Sequence, residues 1–564
     1  MSANLDLVLL WHMHQPDYRD QVSGEFQLPW VYLHAVKDYT DMAAHLEAHP
    51  AVRAVVNFVP VLLDQIEDYT EQFASGRMRD PLLALLARED LDHIGEAERK
   101  LIFDSCFRSN HSRMIVPFPA YKYLHDLYAD VAKKSEACYA YLSGQYLADL
   151  LTWYHLVWTG ESVRRESALV AGLMSKGSNF SYDERRQLFD LIGALIGGLI
   201  GRYRKLAESG QIELSATPHQ HPLAPLLLDF QSARDAEPES PLPQAPYYPG
   251  GRSRVTHHVR AAQESHARRF GARPKGLWPA EGGVSSALLK LFAEQQVGWA
   301  ASGEGVLANS LRKTGAAVSD RREYLYRPYR VAAAPEVSLF FRDDQLSDLI
   351  GFEYAKWHGK DAAYHFVGQL EAVRRDAPAG RDPLVVVILD GENAWEYYPY
   401  NGFHFLNDLY TTLGAHASIR TTTPSAYLAR ERQAVHGELP ALCAGSWVYG
   451  TFSTWIGSTD KNRAWDLLCA AKASFDLVLA SGRLGTEAAH TAERQLAVCE
   501  ASDWFWWFGD YNPQQAVSSF DRLFRHNLTN LYRLLELPPP PELAEPISHG
   551  AGHPEAGGAM RRAS

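Results

Sequence analysis

Cysteine is scarce in this sequence, and the few cysteines present show no spacing that would pair them. The five are Cys106, Cys138, Cys443, Cys469 and Cys499, scattered over 564 residues. No two of them stand in a Cys-x-x-Cys arrangement. A disulfide framework and a thiolate zinc site are therefore not expected, and a reducing compartment is favoured.

A long apolar run, a basic leader and a basic cluster are also missing. No stretch is apolar over the length that crosses a bilayer. The first ten residues lack a positively charged segment and lead into a strand pattern, so no signal peptide is expected. Lys and Arg number 55 against 67 acidic residues, a net charge of −12, which argues against nucleic acid as a partner. We therefore expect a cytoplasmic protein without a membrane partner; its oligomeric state is left open.

Aromatic side chains, by contrast, are plentiful. They form 12% of the residues, with 14 Trp and 28 Tyr. A large aromatic core accounts for such numbers. A sugar-binding surface accounts for them equally well, because the apolar face of a pyranose stacks on an indole ring. Position in the fold has to decide between the two.

Seven short segments rich in apolar and β-branched residues predict strands, and helical periodicity lies between them. Several are apolar almost throughout, as are strands buried on both faces of a parallel sheet. The alternation of such strands with helices indicates an α/β architecture. The predicted strands are residues 5–11, 52–58, 211–215, 275–278, 297–301, 337–341 and 384–390.

The pattern divides the chain into three parts. Residues 1–402 form the predicted catalytic domain, which contains a mostly helical insertion at about residues 60–210. Residues 403–537 are predicted to form a C-terminal helical domain. The tail, residues 538–564, begins with a proline run and is rich in Gly, Pro and Ala, so it is predicted to be disordered.

Four predicted strand ends carry polar clusters. These are His12 with His14, Glu213 with His219 and His221, Trp278 with Glu281, and Asp390 with Glu392. The carboxyl ends of parallel strands meet at one edge of a barrel, so residues distant in sequence come together there. A turn with polar caps explains any one cluster, but four clusters of the same kind predict an active site.

Glu281 and Asp390 are the candidate catalytic pair. Asp390 ends the apolar run VVVIL, and burial against such a wall should raise the pKa of its carboxyl, which suits a general acid. Glu281 precedes two glycines, where a ligand can approach the backbone closely. Two carboxyls on separate strand ends are what glycoside hydrolysis uses. Glu392 and Glu396 are rival candidates.

The motifs together resemble those of glycoside hydrolase family 57, in its amylopullulanase and α-amylase branch. The likeness runs from His12 to about Tyr511 and comprises five motifs in the family's order. They are HQP at 14–16, GQIEL at 210–214, LWPAE at 277–281, LDGENAWE at 389–396 and ASDWF at 501–505. HQP alone is weak evidence, whereas five ordered motifs are specific.

The resemblance implies a retaining mechanism with Glu281 as nucleophile and Asp390 as general acid/base. It also implies an incomplete seven-stranded (β/α) barrel, followed by a helical domain that completes the cleft. The implied substrate is an α-glucan polysaccharide or maltooligosaccharide, cleaved at α-1,4 bonds and optionally at α-1,6 bonds. No metal or other cofactor is expected, because two carboxyls and neighbouring donors suffice for this chemistry.

Seven residues are candidates for substrate binding. One of His12 and His14 could contact a sugar hydroxyl while the other is a core histidine, and His219 and His221 present the same choice. The tryptophans offer stacking faces, and the pair Asp503 and Trp504 is preferred. The seven are His12, His14, Glu213, Trp278, Trp455, Asp503 and Trp504, with Trp447, Trp506 and Trp507 as further candidates for sugar platforms.

Three alternatives stay open. A 4-α-glucanotransferase or a glucan branching enzyme would use the same two carboxyls and transfer the sugar to another sugar instead of water. Imidazoles with Asp390 or Glu213 could hold zinc in a metal-dependent barrel hydrolase, although the His-x-His spacing lacks an obvious third ligand. A catalytically silent glucan-binding protein would have no chemical reason to keep both carboxyls.

Overall fold

A computed structural model describes residues 4–133, 140–378, 381–430 and 436–552. Ten strands in these residues form one sheet. They are β1 (Leu5–Met13), β2 (Ala54–Phe58), β3 (Ile212–Ala216), β4 (Gly276–Leu277), β5 (Trp299–Gly303), β6 (Tyr329–Val331), β7 (Ala334–Arg342), β8 (Leu384–Asp390), β9 (Ile419–Thr422) and β10 (Gly437–Leu439). Each of the seven predicted strands is present, with ends shifted by a few residues.

Seven of the strands curl into an incomplete barrel. Their order is β7-β5-β4-β3-β2-β1-β8, and the neighbours are parallel. No ladder joins β7 to β8 in the described residues, although the two edges are close. Asp343 N donates to Val386 O at 2.7 Å, and Arg342 Nε donates to Ile388 O at 2.8 Å. The architecture is therefore the predicted α/β fold, an incomplete seven-stranded barrel with one open seam.

Apolar residues fill both faces of the sheet. All nine residues of β1 and all seven of β8 are buried. On β1, Val8 and Leu10 point into the barrel, whereas Leu7 and Leu9 pack in the larger core with the surrounding helices. The two-residue period of a strand then directs His12 inward as well. Burial of each large apolar side chain contributes about 1.5–3 kcal/mol, so this register is strongly favoured.

Helices surround the barrel and form two further units. Those around the barrel are Trp30–His34, Thr40–Ala48, Ala224–Leu228, Gly251–Phe270, Ser286–Glu294, Glu304–Lys313, Arg321–Tyr324, Asp344–Asp348, Gly359–Arg375, Phe403–Gly414 and Pro424–Arg430. The insertion between β2 and β3 contains Pro60–Ser75, Pro81–Leu86, Glu96–Cys106, Pro119–Ala132, Gly144–Val157, Glu161–Glu166, Ala168–Lys176 and Tyr182–Glu208. The C-terminal unit contains Thr459–Ala480, Thr486–Cys499, Asp503–Trp507 and Gln514–Leu534.

The C-terminal helical unit begins later than predicted. The helix Phe403–Gly414 packs against Gly359–Arg375 beside the barrel, and β9 then pairs with β1. Strand β10 pairs with β6, so the sheet extends to Leu439. The predicted boundary at residue 402 is therefore too early, because two short strands after it complete the sheet.

The end of the described chain is packed against the C-terminal unit. Leu543 and Ile547 are buried, and the backbone N–H of Ile547 donates to Asp521 Oδ1 at 2.7 Å. The prediction of a disordered tail is thus wrong for residues 538–552, because these two apolar side chains dock on the helix Gln514–Leu534. Residues 553–564 lie outside the described residues, as does Cys138, whereas the other four cysteines are buried with free thiols.

Among the described residues, none of the helices combines the length and the apolar character that crossing a membrane requires.

Candidate active site

A layer of polar side chains closes the carboxyl end of the barrel. In the strand register, His12 of β1 stands opposite Asn57 of β2 and Asp390 of β8, and Asn57 stands opposite Ser215 of β3. Residues at one level of a parallel sheet project to the same side, so all four side chains point into the barrel mouth. Hydrogen bonds confirm this arrangement, since Asn57 Oδ1 lies 2.6 Å from His12 Nδ1 and Asn57 Nδ2 lies 2.8 Å from Ser215 Oγ.

Glu281 lies in a strained turn just after β4. Its φ of 59° and ψ of 22° are in the left-handed region, which a residue with a Cβ rarely adopts. Two hydrogen bonds hold the turn: Trp447 N donates to Glu281 O at 3.1 Å, and Ser302 Oγ donates to Gly282 O at 2.6 Å. Strain of this kind costs about 1–3 kcal/mol and is typical of functional sites.

The carboxyl group of Glu281 accepts two hydrogen bonds and is nearly buried. Ser502 Oγ donates to Oε1 at 2.8 Å, and Trp447 Nε1 donates to Oε2 at 3.3 Å. Burial raises the pKa of Glu281 to about 8, the negative charges of Asp503 and Asp390 add to the rise, and the two hydrogen bonds oppose it. The group is thus held in place by the C-terminal unit and by the loop that carries Trp447.

Asp390 is the last residue of β8 and is also nearly buried. Asn393 Nδ2 donates to its Oδ2 at 3.0 Å. Burial raises the pKa of Asp390 to about 6, and the Asn393 hydrogen bond, His14 and Arg342 oppose the rise. With pKa values of about 6 and about 8, the Asp390–Glu281 pair holds one proton between those pH values. Glycoside cleavage needs one protonated and one ionised carboxyl. In the substrate-free site the proton lies on Glu281, the carboxyl with the higher pKa, so Glu281 becomes a carboxylate only when this proton moves to Asp390 or leaves the pair.

The two rival carboxyls are placed less favourably. Glu392 is buried, and this burial together with the charge of Asp390 raises the pKa of Glu392 well above the usual range. Its carboxyl bonds to the backbone of His14 and to the side chain of Gln15. Glu396 is influenced by the charges of Lys37, His34 and Asp38. Neither forms a hydrogen bond with Glu281 or Asp390.

Three histidines and Asp503 form a compact cluster next to Glu281. His12 Nε2 lies 3.2 Å from His221 Nε2, and His14 Nε2 lies 2.8 Å from Asp503 Oδ1. The rings of His14 and His221 stack with centroids 3.8 Å apart. The structure therefore brings His12, His14, Asp503 and also His221 next to Glu281, and binding of substrate by these residues stays a prediction.

His14, His221 and Asp503 form the one group in the described residues whose ligand atoms could surround an ion, all within 4.8 Å of one another. The two rings are nearly parallel, at 19°, so their in-plane lone pairs run side by side and do not converge on one point. His14 Nε2 is bonded to Asp503, and His221 Nδ1 is 2.9 Å from Ser502 Oγ. The contacts His14–Asp503 and His221–Ser502 already engage ligand atoms of this group, so we assign no metal here.

The three tryptophans predicted to bind sugar are buried. Trp278 and Trp455 are 0% exposed, and so is Trp504, whose Nε1 donates to Val498 O at 2.9 Å. A sugar can stack only on an exposed ring face, so the prediction is wrong for these three residues. Trp278 instead lies under the site, edge-on to Trp447 at 5.3 Å. Trp447 is only partly buried and is the tryptophan whose indole N–H reaches the Glu281 carboxyl.

Glu213 and His219 point away from the site. Glu213 lies near the amino end of β3, where its carboxyl accepts hydrogen bonds from Trp299 Nε1 at 2.8 Å and Ser425 Oγ at 2.6 Å. The prediction that Glu213 binds substrate is therefore wrong, because its strand position directs it to the opposite end of the barrel. His219 Nε2 lies 3.0 Å from Asp64 Oδ2 on the insertion.

Sequence reasoning missed Ser502 and Asn57. Ser502 lies beside Asp503 within the ASDWF motif, and this adjacency was the available signal. Asn57 is a single amide in the otherwise apolar strand AVVNF, and a buried polar residue in such a strand calls for a partner.

Comparisons with known proteins identify the family of the chain and relatives of its fold. The profile described as glycosyl hydrolase family 57 matches residues 8–440, whereas no curated protein matches the chain. The fold is similar to that of a GH57-type branching enzyme from the archaeon Pyrococcus horikoshii, with 14% identity over 94% of this chain and 89% of that one and a TM-score of 0.58. It is also similar to an α-amylase from Thermotoga maritima, with 13% identity over 95% of this chain and 93% of that one and a TM-score of 0.55. Because the profile spans most of the sequence, the chain belongs to glycosyl hydrolase family 57.

Proposed function

We propose that the protein is a retaining glycoside hydrolase that cleaves α-1,4 glucosidic bonds in α-glucans, with α-1,6 bonds as a further possible target. The observation that carries this proposal is the pair of nearly buried carboxyls, Glu281 after β4 and Asp390 at the end of β8, which together hold one proton near neutral pH. The cytoplasmic location expected from the sequence remains part of the proposal.

In the proposed mechanism, two displacements occur at one anomeric carbon. Once the proton of the pair lies on Asp390, the Asp390 carboxyl gives it to the glycosidic oxygen. The Glu281 carboxylate attacks the anomeric carbon to form a glycosyl ester, and the bond from that carbon to the glycosidic oxygen breaks. The Asp390 carboxylate then takes a proton from water, whose oxygen displaces Glu281. The two inversions leave the product in the α configuration.

Unpartnered polar atoms around the pair support a role in binding sugar hydroxyls. His14 Nδ1, Asp503 Oδ2 and Glu392 Oε2 are buried and have no hydrogen-bond partner in the described residues. Buried polar atoms without partners are costly, at about 1–3 kcal/mol each, so a ligand that pairs with them is favoured. We infer that His14 and Asp503 bind the sugar next to the scissile bond.

A second candidate is transfer of the glycosyl group to another sugar, as in a 4-α-glucanotransferase or a branching enzyme. The low exposure of the catalytic pair, 9% for Glu281 and 8% for Asp390, favours it, because a site that excludes water spares the glycosyl ester for an acceptor sugar. The two reactions share their first step and differ only in the acceptor.

Product analysis on amylose, pullulan and maltooligosaccharides tests the proposal. Hydrolysis generates new reducing ends, whereas disproportionation keeps their number constant and branching creates α-1,6 bonds at the expense of α-1,4 bonds. A purified enzyme that changes none of these substrates would refute both candidates. Activity that is lost on exhaustive chelation and restored by zinc would favour the metal-dependent alternative.

A further inference from the structure

A continuous line of hydrogen-bonding side chains leads from Glu281 into the barrel wall. Ser502 Oγ lies 2.8 Å from Glu281 Oε1 and 2.9 Å from His221 Nδ1. His221 Nε2 lies 3.2 Å from His12 Nε2, and His12 Nδ1 lies 2.6 Å from Asn57 Oδ1. All five residues are at most 9% exposed, so bulk water does not reach most of their polar atoms. These atoms therefore take their hydrogen bonds from their neighbours in the line.

Both imidazoles in this line are held neutral. Burial lowers the pKa of His12 to about 3, helped by His14, and burial lowers the pKa of His221 well below its usual range. A neutral imidazole carries one N–H, so one ring nitrogen donates and the other accepts. Once the direction of one hydrogen bond in the line is set, the directions of the others follow.

When Glu281 is a carboxylate, it can only accept. Ser502 Oγ–H then donates to Glu281, and Ser502 accepts from His221 Nδ1–H. His221 Nε2 consequently accepts from His12 Nε2–H, and His12 Nδ1 is left as an acceptor that needs an N–H from the Asn57 amide.

When Glu281 is protonated, the line can run the other way. The acid donates to Ser502 Oγ, Ser502 Oγ–H donates to His221 Nδ1, and His221 Nε2–H donates to His12 Nε2. His12 Nδ1–H then donates to Asn57 Oδ1, the atom that faces it in the structure. The Asn57 amide is placed for this direction, whereas a Ser502 Oγ–H that donates to Glu281 Oε1 belongs to the other.

The Asn57 end of the line permits both directions. Its amide also contacts Ser215 Oγ at 2.8 Å and Thr217 Oγ1 at 3.0 Å. A hydroxyl can either donate or accept, so a half-turn of the amide leaves each of these contacts satisfied. Two rotatable hydroxyls thus allow the amide to offer His12 either its oxygen or its N–H.

We propose that Ser502, His221, His12 and Asn57 form a hydrogen-bond relay that reverses direction when Glu281 changes between carboxylic acid and carboxylate. Ser502 is in this view a positioning residue for the nucleophile, a role that rests on the proposed function. During the reversal only Glu281 gains or loses a proton. Each imidazole keeps one proton and carries it on the other ring nitrogen.

The relay acts beside several other groups that face Glu281. Trp447 Nε1 donates to Oε2 at 3.3 Å, and His221 Nδ1 lies 3.8 Å from Oε1. Asp503 and Asp390 raise the pKa of Glu281 through their charges, and His14 is bonded to Asp503. Replacing Ser502 removes the donor to Oε1 and leaves these groups in place.

Carbon-13 NMR titration of the Glu281 carboxyl tests the first link of the relay without any substrate. The signal is assigned by its loss in Glu281→Gln. Because Ser502 donates to the charged form, Ser502→Ala should move the titration midpoint of Glu281 upward by about one pH unit. Ser310→Ala, which removes a buried hydroxyl bonded to Val306 O outside the site, should leave the midpoint unchanged. An unchanged midpoint in folded Ser502→Ala would overturn the proposal.

Nitrogen-15 NMR of histidine-labelled protein tests the rest of the relay. The proton of His221 should move between Nδ1 and Nε2, and that of His12 between Nε2 and Nδ1, over the pH range in which Glu281 titrates. Single His→Asn variants assign the two rings. A His221 tautomer that stays constant while Glu281 titrates would overturn the relay even in an active enzyme. An enzyme without α-glucan activity that shows the tautomer change would instead refute only the proposed function.

Discussion

Ser502 Oγ lies 2.8 Å from Glu281 Oε1, although the two residues are 221 positions apart in the chain. Glu281 belongs to the barrel, and Ser502 precedes the helix Asp503–Trp507 of the C-terminal unit. His221 O also accepts from Ser502 N at 2.9 Å, which ties this unit to the barrel mouth. The C-terminal unit therefore supplies part of the candidate site, and the barrel by itself would leave the Glu281 carboxyl without this donor.

Replacing Glu281 by Gln should abolish turnover and leave the fold intact. The amide keeps the shape of the carboxyl but cannot attack the anomeric carbon, so we expect a loss of several orders of magnitude in kcat. Initial rates on maltooligosaccharides, together with circular dichroism, measure the two effects.

Glu213→Gln is the matched control for this variant. Glu213 is a carboxyl of the same barrel bonded to Trp299 and Ser425 at the other end, so the change should leave kcat within about twofold. Near-normal activity of Glu281→Gln, or a loss in Glu213→Gln equal to that in Glu281→Gln, would refute the assignment.

Replacing Asp390 by Asn should slow cleavage of natural glucans by about 100- to 10,000-fold, because the leaving oxygen then departs without a proton. Fluoride leaves without protonation, so the variant should release a burst of about one fluoride per enzyme from α-glucosyl fluoride. Asp382→Asn, which changes a half-exposed carboxyl just before β8, is the control. Unimpaired turnover of maltooligosaccharides by Asp390→Asn would exclude the acid role.

The ion pairs of Glu500 should contribute strongly to the stability of the contact between the helix Gly251–Phe270 and the C-terminal unit. Glu500 is fully buried and bonded to Arg254 at 2.8 Å and His258 at 2.7 Å, on the helix Gly251–Phe270. Glu500→Gln leaves the buried Arg254 with only the partly exposed Glu493, at 2.9 Å, as an ionised partner, so we expect the free energy of unfolding to fall by about 3–5 kcal/mol. Glu294→Gln removes an exposed partner of Arg252 on the same helix and should cost less than about 1 kcal/mol.

The Glu500 effect should depend on pH. Arg254 and His258 lower the pKa of Glu500 well below its usual range despite its burial. The ionised group therefore stabilises the folded state above the unfolded-state pKa of about 4.3, and this stability is lost as the pH falls toward the lower folded pKa. Denaturant unfolding at several pH values should show the wild type and Glu500→Gln converging below about pH 4. A difference that grows in acid would contradict the sign of the shift.

Two tryptophan variants separate packing from catalysis. Trp504→Phe should lower the free energy of unfolding by about 1–3 kcal/mol, because it loses the bond to Val498 and core volume, with KM unchanged. Trp447→Phe removes a donor to the Glu281 carboxylate and should lower kcat by about 10- to 100-fold. A raised KM with normal stability in Trp504→Phe would restore the sugar-platform role.

The sequence predicted those features that depend on local pattern. The seven barrel strands were found because burial on both faces makes them apolar runs, whereas β6, β9 and β10, of three or four residues, give no such signal. Asp390 stood out because it ends an apolar strand. Whether a tryptophan is exposed depends on tertiary packing, so Trp455 and Trp504 were misassigned.

Contacts across long sequence distances could not be read from the sequence. His221 reaches the site through a left-handed backbone, with φ of 56°, and Asn57 meets His12 only through the strand register. Glu213 lies near the start of β3, and the motif GQIEL alone does not indicate which end of the barrel that position occupies. Motifs thus single out the two candidate carboxyls, whereas the residues that contact them become visible only in the fold.

The anomeric configuration of the first product tests the central claim most directly. Glu281 as nucleophile requires two displacements, so the sugar released or transferred from a maltooligosaccharide should first be the α-anomer. Proton NMR in the first minutes of reaction, before mutarotation, distinguishes the anomers. First release of the β-anomer would contradict the account, because inversion would make Glu281 a base that activates water and not a nucleophile.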